Sequence, residues 1–372
     1  MAQTSFALDD MHLADPQVGF DIGWDHARHG LPPPPEQWLD GNPLHQGWRA
    51  GKACFGERTL GASRRVRLWL VLRLHAWLRN RAFELAEVTP HYLGQIEVAL
   101  CPITRRPLVQ AESSVDRVNN QAGYGAGNLA MMSVQANRAK AAFGLGEAQL
   151  RAQRAQAVDT GLVDGLDAAA WSRLATLISF VTPLPHEQAA RLPLRVLPPN
   201  RLRLLNPVQG LQALITRELG RPDGTRRLRE LAALLPGEVL RLDFHRFLSA
   251  MLPRRIEAGR DADAWTLRHA LEDAWCDERV NRCWQRFALQ LDAALIEQLL
   301  QRCAAGALAG TRVLLHELAT ATEGWALDTG GWAVAAGQAG WRVLPSRTAG
   351  APADRARIAA SRARTADGHL PA

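Results

Sequence analysis

Lysine is almost missing from this 372-residue chain: of 44 basic side chains only Lys52 and Lys140 are lysine. Cysteine is sparse and scattered. The five residues Cys54, Cys101, Cys276, Cys283 and Cys303 form no Cys-x-x-Cys pair, which argues against a disulfide framework and against a structural zinc site. No apolar run approaches the roughly 18 residues that a membrane-spanning helix needs, and the run 68–72 is stopped by Arg73. Residues 1–20 hold Asp9, Asp10 and Asp15 and neither lysine nor arginine, unlike a secretory leader. A cytoplasmic protein with no membrane partner is expected. There is no P-loop, no Gly-x-Gly-x-x-Gly and no Gly-x-Ser-x-Gly elbow, so the phosphate-cradling, dinucleotide and hydrolase motifs are excluded.

What is present is a basic chain of ordinary hydrophobic content. Its apolar fraction is 47% and its net charge +7. The charge is uneven. Residues 61–160 carry 13 basic against 7 acidic side chains and residues 191–260 carry 14 against 6, whereas 1–60 and 261–330 are net acidic. Two basic blocks fit a polyanion as partner.

The fold class expected is α+β, a small strand-containing unit embedded in a mainly helical protein. Residues 1–60 form an N-terminal arm with a Pro-rich connector at 32–35. Asp25, His26 and His29 suggest a metal group only on a helix, and Gly30 and Pro32 argue against one there. Residues 61–158 hold a long helix, predicted over 62–87, followed by the unit described next. A Gly-containing break at 159–164 is the predicted domain boundary. Residues 165–325 form a mainly helical domain with a candidate protein-partner surface. Within it helices are predicted over 168–180, 208–219, 225–235, 244–252 and 262–275, and two short strands over 194–205. One continuous helix over 277–305 follows the three- and four-residue spacing of Val280, Trp284, Phe287, Leu291, Leu295, Leu299 and Cys303. A last short element is predicted at 311–318 and a disordered tail at 346–372.

The stretch 101–144 carries the chemistry. Residues 113–118 alternate as a short strand, and a loop of asparagine and glycine follows to Gly127. Residues 128–133 suit a second strand, and Ser133 is placed to cap a helix through Asn137. Within this order stand Asp116-Arg117, Asn128-Leu129, Asn137 and, three residues on, Lys140. Upstream lies Cys-Pro-Ile-Thr at 101–104. The pattern, about forty residues long, resembles the core of an HNH endonuclease, of the ββα-metal (His-Me finger) group.

The resemblance implies a metal-dependent phosphodiesterase acting on DNA, with RNA as the other candidate. Asp116 and Asn137 would hold one Mg²⁺ or Mn²⁺, Asn128 would position the loop and the base, and Arg117, Arg138 and Lys140 would grip phosphate. No zinc is expected. One position departs: Arg117 stands where the family has its general-base histidine. A guanidinium stays protonated at neutral pH and takes no proton from water. His91 is the nearest alternative base in sequence. The alternative reading is a non-catalytic nucleic-acid-binding or assembly protein with a degenerate HNH fold.

Overall fold

In the computed structural model, which describes residues 15–259 and 261–305, Asp15 and Asn42 each stand before a proline. Each side chain accepts a backbone N–H two residues on, from Gln17 at 2.8 Å and from Leu44 at 2.9 Å. Proline at the first helical position has no donor to lose and a φ already helical. Two helices result, α1 (Pro16–Arg28) and α2 (Pro43–Phe55), where periodicity predicts only an arm. Glycine explains the difference. It costs about 1 kcal/mol in an isolated helix, but here it lets two backbones touch. A Cβ on Gly23 would lie 1.9 Å from the Leu44 carbonyl oxygen, and one on Gly47 1.9 Å from that of Phe20. The helix predicted improbable at His26 therefore forms.

Ser63 caps α3 (Arg64–Leu78), which stops well short of the predicted residue 87. The chain turns at Asn80, in the left-handed region at φ +46°, a conformation asparagine tolerates. Leu74 of α3 packs with Ile22 and Leu44, and Arg73 pairs with Asp25. Its Leu72 and Ala76 belong to a second apolar cluster with Val115, Leu129 and Met131.

Thr89 caps α4 (Pro90–Gln95). A tight turn follows, closed by Cys101 N–H to Arg106 at 2.8 Å and Leu108 N–H to Ala99 at 2.8 Å. Strands β1 (Ser113–Arg117) and β2 (Leu129–Ser133) pair antiparallel, with Asp116 opposite Ala130. Ser133 Oγ then accepts the Ala136 N–H at 3.2 Å and starts α5 (Val134–Lys140). The strand, loop, strand, helix order is as the sequence predicts.

The predicted boundary at 159–164 falls at a small hairpin of β3 (Leu162–Val163) and β4 (Leu166–Asp167) between two mutually packed helices, α6 (Leu145–Ala157) and α7 (Ala168–Phe180). One apolar cluster runs across it, from Cys101, Ala130 and Met132 through Trp171 to Phe247, Trp284 and Cys303. The remaining helices are α8 (His186–Arg191), α9 (Pro207–Leu219), α10 (Gly224–Leu234), α11 (Glu238–Glu257), α12 (Ala264–Ala274), α13 (Glu278–Ala288) and α14 (Ala293–Ala305). Two predictions fail here. Residues 194–205 form no strand, because their amides bond elsewhere: Leu197 N–H to Glu272 Oε1, Arg203 N–H to Gly127 and Leu205 N–H to Phe180. The long helix at 277–305 is two helices, because Asp292 takes the Leu295 N–H at 2.7 Å and restarts the chain as a cap.

The fold is mainly helical with small two-stranded sheets. Among the described residues no helix is long and apolar enough to cross a membrane. The predicted element at 311–318 and the tail at 346–372 lie outside the described residues.

Candidate functional site

Strand periodicity puts Ser114 and Asp116 on one face of β1, and a three-residue step puts Asn137 and Lys140 on one face of α5. The two faces meet. Asn137 Nδ2 donates to Ser114 Oγ at 2.7 Å. Lys140 Nζ lies 2.8 Å from Asp116 Oδ2. The same nitrogen donates to the Arg117 carbonyl at 2.8 Å and to Asn120 Oδ1 at 3.2 Å. An ammonium has three protons, and three acceptors surround this one. The Lys140 side chain is 0% exposed and that of Asp116 10%. Burial pushes the Asp116 carboxyl up and the Lys140 ammonium down, and the attraction between the two opposes both shifts.

Asn128, fully buried, pins the loop. Its Nδ2 donates to the carbonyls of Asn119 and Gly123, both at 3.0 Å, and its Oδ1 accepts the Asn119 N–H at 2.8 Å. Arg117 lies along the same loop. Its Nη1 donates to Ala122 O at 2.9 Å and Asn120 O at 3.3 Å, and its guanidinium sits 5.0 Å from the Tyr124 ring centre. The loop amides are also taken: Ala126 N–H by Glu84 Oε2 at 2.7 Å and Gly127 N–H by Tyr92 Oη at 2.9 Å. Burial raises both Glu84 and Tyr92 above their ordinary pKa values.

The structure thus brings Asp116, Arg117, Asn128, Asn137 and Lys140 into one unit, but not with the partners the resemblance implies. Lys140 points inward and grips a carboxylate, not a phosphate. One terminal nitrogen of Arg117, Nη1, is spent on loop carbonyls. Arg138 is exposed and free to meet an anion. His91 is exposed on α4, and its imidazole bonds Gln95 at 2.9 Å on the same helix; no hydrogen bond joins it to Asp116, Asn128 or Asn137. Cys101 accepts the N–H groups of Ser133 at 3.3 Å and Thr104 at 3.5 Å, tying the upstream turn to the start of α5.

A divalent cation does not fit this donor set as it stands. The Asp116 carboxylate already neutralises a buried ammonium, and a second cation beside it would be repelled at short range in a low dielectric. Asn137 turns a donor, not its oxygen, toward Ser114. Among the described residues no group of three or more His, Cys, Asp and Glu could hold a metal ion. This covers Asp25, His26 and His29.

Ser114, Asn120, Glu84 and Tyr92 escape the sequence reading. Ser114 is two residues from Asp116 and so shares its strand face, a signal that was available. Glu84 and Tyr92 reach the loop from separate segments, and nothing local marks them. No protein-family model matches the chain, and neither a curated protein nor a solved structure is similar to it.

Proposed function

We propose that this chain binds nucleic acid, DNA in the first instance, and that its HNH-like strand–loop–strand–helix unit is a folded clamp that does not cut. The observation that carries the reading is the Lys140 ammonium on the Asp116 carboxylate, beside an Arg117 already bonded to its own loop. The metal ligand and the base position are both used internally, so the unit keeps its architecture without the groups that hydrolysis requires.

The polyanion part rests on arginine. Arg67 on α3, Arg79 just past its end, Arg106 in the upstream turn, Arg138 on α5 and Arg154 on α6 are all exposed, and none forms an ion pair with a described residue. Free guanidiniums around a folded unit suit phosphate contacts that position without reading sequence. The test is retention of duplex DNA across a salt series, with supercoiled plasmid and Mg²⁺ or Mn²⁺ in parallel. Each phosphate contact contributes about −0.9 to the slope of log affinity against log salt. Five contacts predict a slope near −4.5, with the plasmid left supercoiled. A flat salt response, or nicking that EDTA abolishes, overturns the proposal.

A further inference from the structure

A second feature lies away from the clamp. A cleft of about 440 Å³ opens between the last turn of α9, helix α12, residues 197–200 and the turn at 97–102. That volume is in the range of small-ligand sites. Half-buried Trp265 lines the cleft with its helix neighbours Arg268, whose guanidinium lies 5.3 Å from the Trp265 ring centre, and His269. The buried Pro198 and Pro199 line it too, beside Arg217 and Arg221.

The charges do not cancel. Glu272, which lines the cleft, is held by Arg268 at 2.9 Å, Arg105 at 3.2 Å and the Leu197 N–H at 2.8 Å. Asp273 is taken by Arg105 at 2.7 Å. Glu97 is taken by Arg65 at 2.8 Å. Arg221 has Asp223 at 3.5 Å and Glu218 at 3.7 Å. Among the described residues Arg217 has no carboxylate partner, and its one hydrogen bond goes to the Pro198 carbonyl at 2.9 Å. Arg217 itself is exposed. Burial and then the Arg105 charge lower the pKa of His269. A guanidinium without a counterion, at the wall of a cleft whose acids are all engaged, is a place where an anion gains energy.

We propose that this cleft binds a nucleoside 5′-monophosphate group, either free or at the end of a strand. The phosphate meets Arg217, with Arg221 at the rim, and the base lies against Trp265 and the Pro198–Pro199 wall. Stacking on an aromatic face is tolerant of which base is offered, so little base preference is expected.

Equilibrium dialysis of the full chain with AMP, adenosine, inorganic phosphate and a 5′-phosphorylated dinucleotide tests this. AMP is expected to bind at least tenfold tighter than adenosine or phosphate. Equal binding of AMP and the dinucleotide identifies a strand end as a ligand; AMP alone identifies the free nucleotide. Arg217→Gln is expected to weaken AMP at least tenfold, and Trp265→Leu to weaken AMP while leaving phosphate unchanged. If Arg217→Gln fails to fold by circular dichroism, the exposed Arg221→Gln takes its place, with a smaller loss of several-fold. AMP binding weaker than about 1 mM, phosphate binding as well as AMP, or affinity unmoved in the folded variants overturns the proposal.

Discussion

Lys140→Met removes the ammonium and leaves a methylene stem of similar length in the same space. The Arg117 carbonyl and Asn120 Oδ1 lose their donor, and the Asp116 carboxylate loses its cation. Breaking a buried ion pair from one side costs roughly 3–5 kcal/mol, because the remaining charge stays buried alone. At about 2 °C per kcal/mol for a chain of this size, the melting temperature falls by roughly 6–10 °C. The loss shrinks as pH falls, because the stranded carboxyl, already raised by burial, takes up a proton and ceases to be a buried charge. The double variant Asp116→Asn/Lys140→Met carries no charge there, and its new amide can donate to one of the orphaned oxygens. It is expected to recover at least about 2 kcal/mol relative to Lys140→Met. The assay is chemical unfolding of the wild type, both single variants and the double, at two pH values. Melting of Lys140→Met within a degree of wild type, or single costs that simply add in the double, refutes the claim that the ammonium is the cation on which this unit is built.

Three further outcomes are expected. Asn128→Asp puts a carboxylate oxygen against the Asn119 and Gly123 carbonyls where a donor stood, and should cost about 3 kcal/mol or more in urea unfolding; a neutral result dismisses its pinning role. Gly23→Ala drives a methyl into the Leu44 carbonyl and should cost roughly 1–3 kcal/mol or more, with α1 and α2 losing protection first in hydrogen exchange. Burial lowers the pKa of His26, so the folded state binds fewer protons than the unfolded. The stability this gives is whole above the ordinary value near 6.5 and is lost as pH falls through it. Glu84 and Asp116, raised by burial, act in the opposite sense. The measure is therefore the stability of wild type relative to His26→Leu, which should fall as pH drops toward about 5 if the His26 assignment is right.

Much of the fold was written locally. Asp167, whose Oδ1 accepts the Ala170 N–H at 2.6 Å, starts α7, and Pro207 and Gly220 bound α9 closely. What was not legible depends on partners distant in sequence. Glycines that lower local helix propensity on α1 and α2 are favourable only because each helix faces the other. Residues 194–205 have the composition of strands but no neighbouring strand to pair with. For the site, spacing was enough to place Asp116, Asn128, Asn137 and Lys140 in one small unit. It could not tell which way Lys140 points. A lysine at the end of a short helix can snorkel outward as readily as turn in, and what draws this one inward is the convergence of Asp116, the Arg117 carbonyl and Asn120.

The placement of α3 has a kinetic consequence. Leu74 and the partly buried Trp77 are what α3 contributes to the small cluster it shares with Ile22 and Leu44, while Leu72 and Ala76 lie in the cluster that backs the hairpin. The α1–α2 pair thus rests on a core of its own, attached through Leu74, the Arg73–Asp25 pair and the Trp77 indole on the Asp15 carbonyl at 2.9 Å. Such a unit opens with a free energy set by those few links and not by the rest of the molecule. Native-state exchange should therefore resolve two tiers, with the first two helices reporting a shallow excursion in which the β1–β2 hairpin and the helices behind it stay closed.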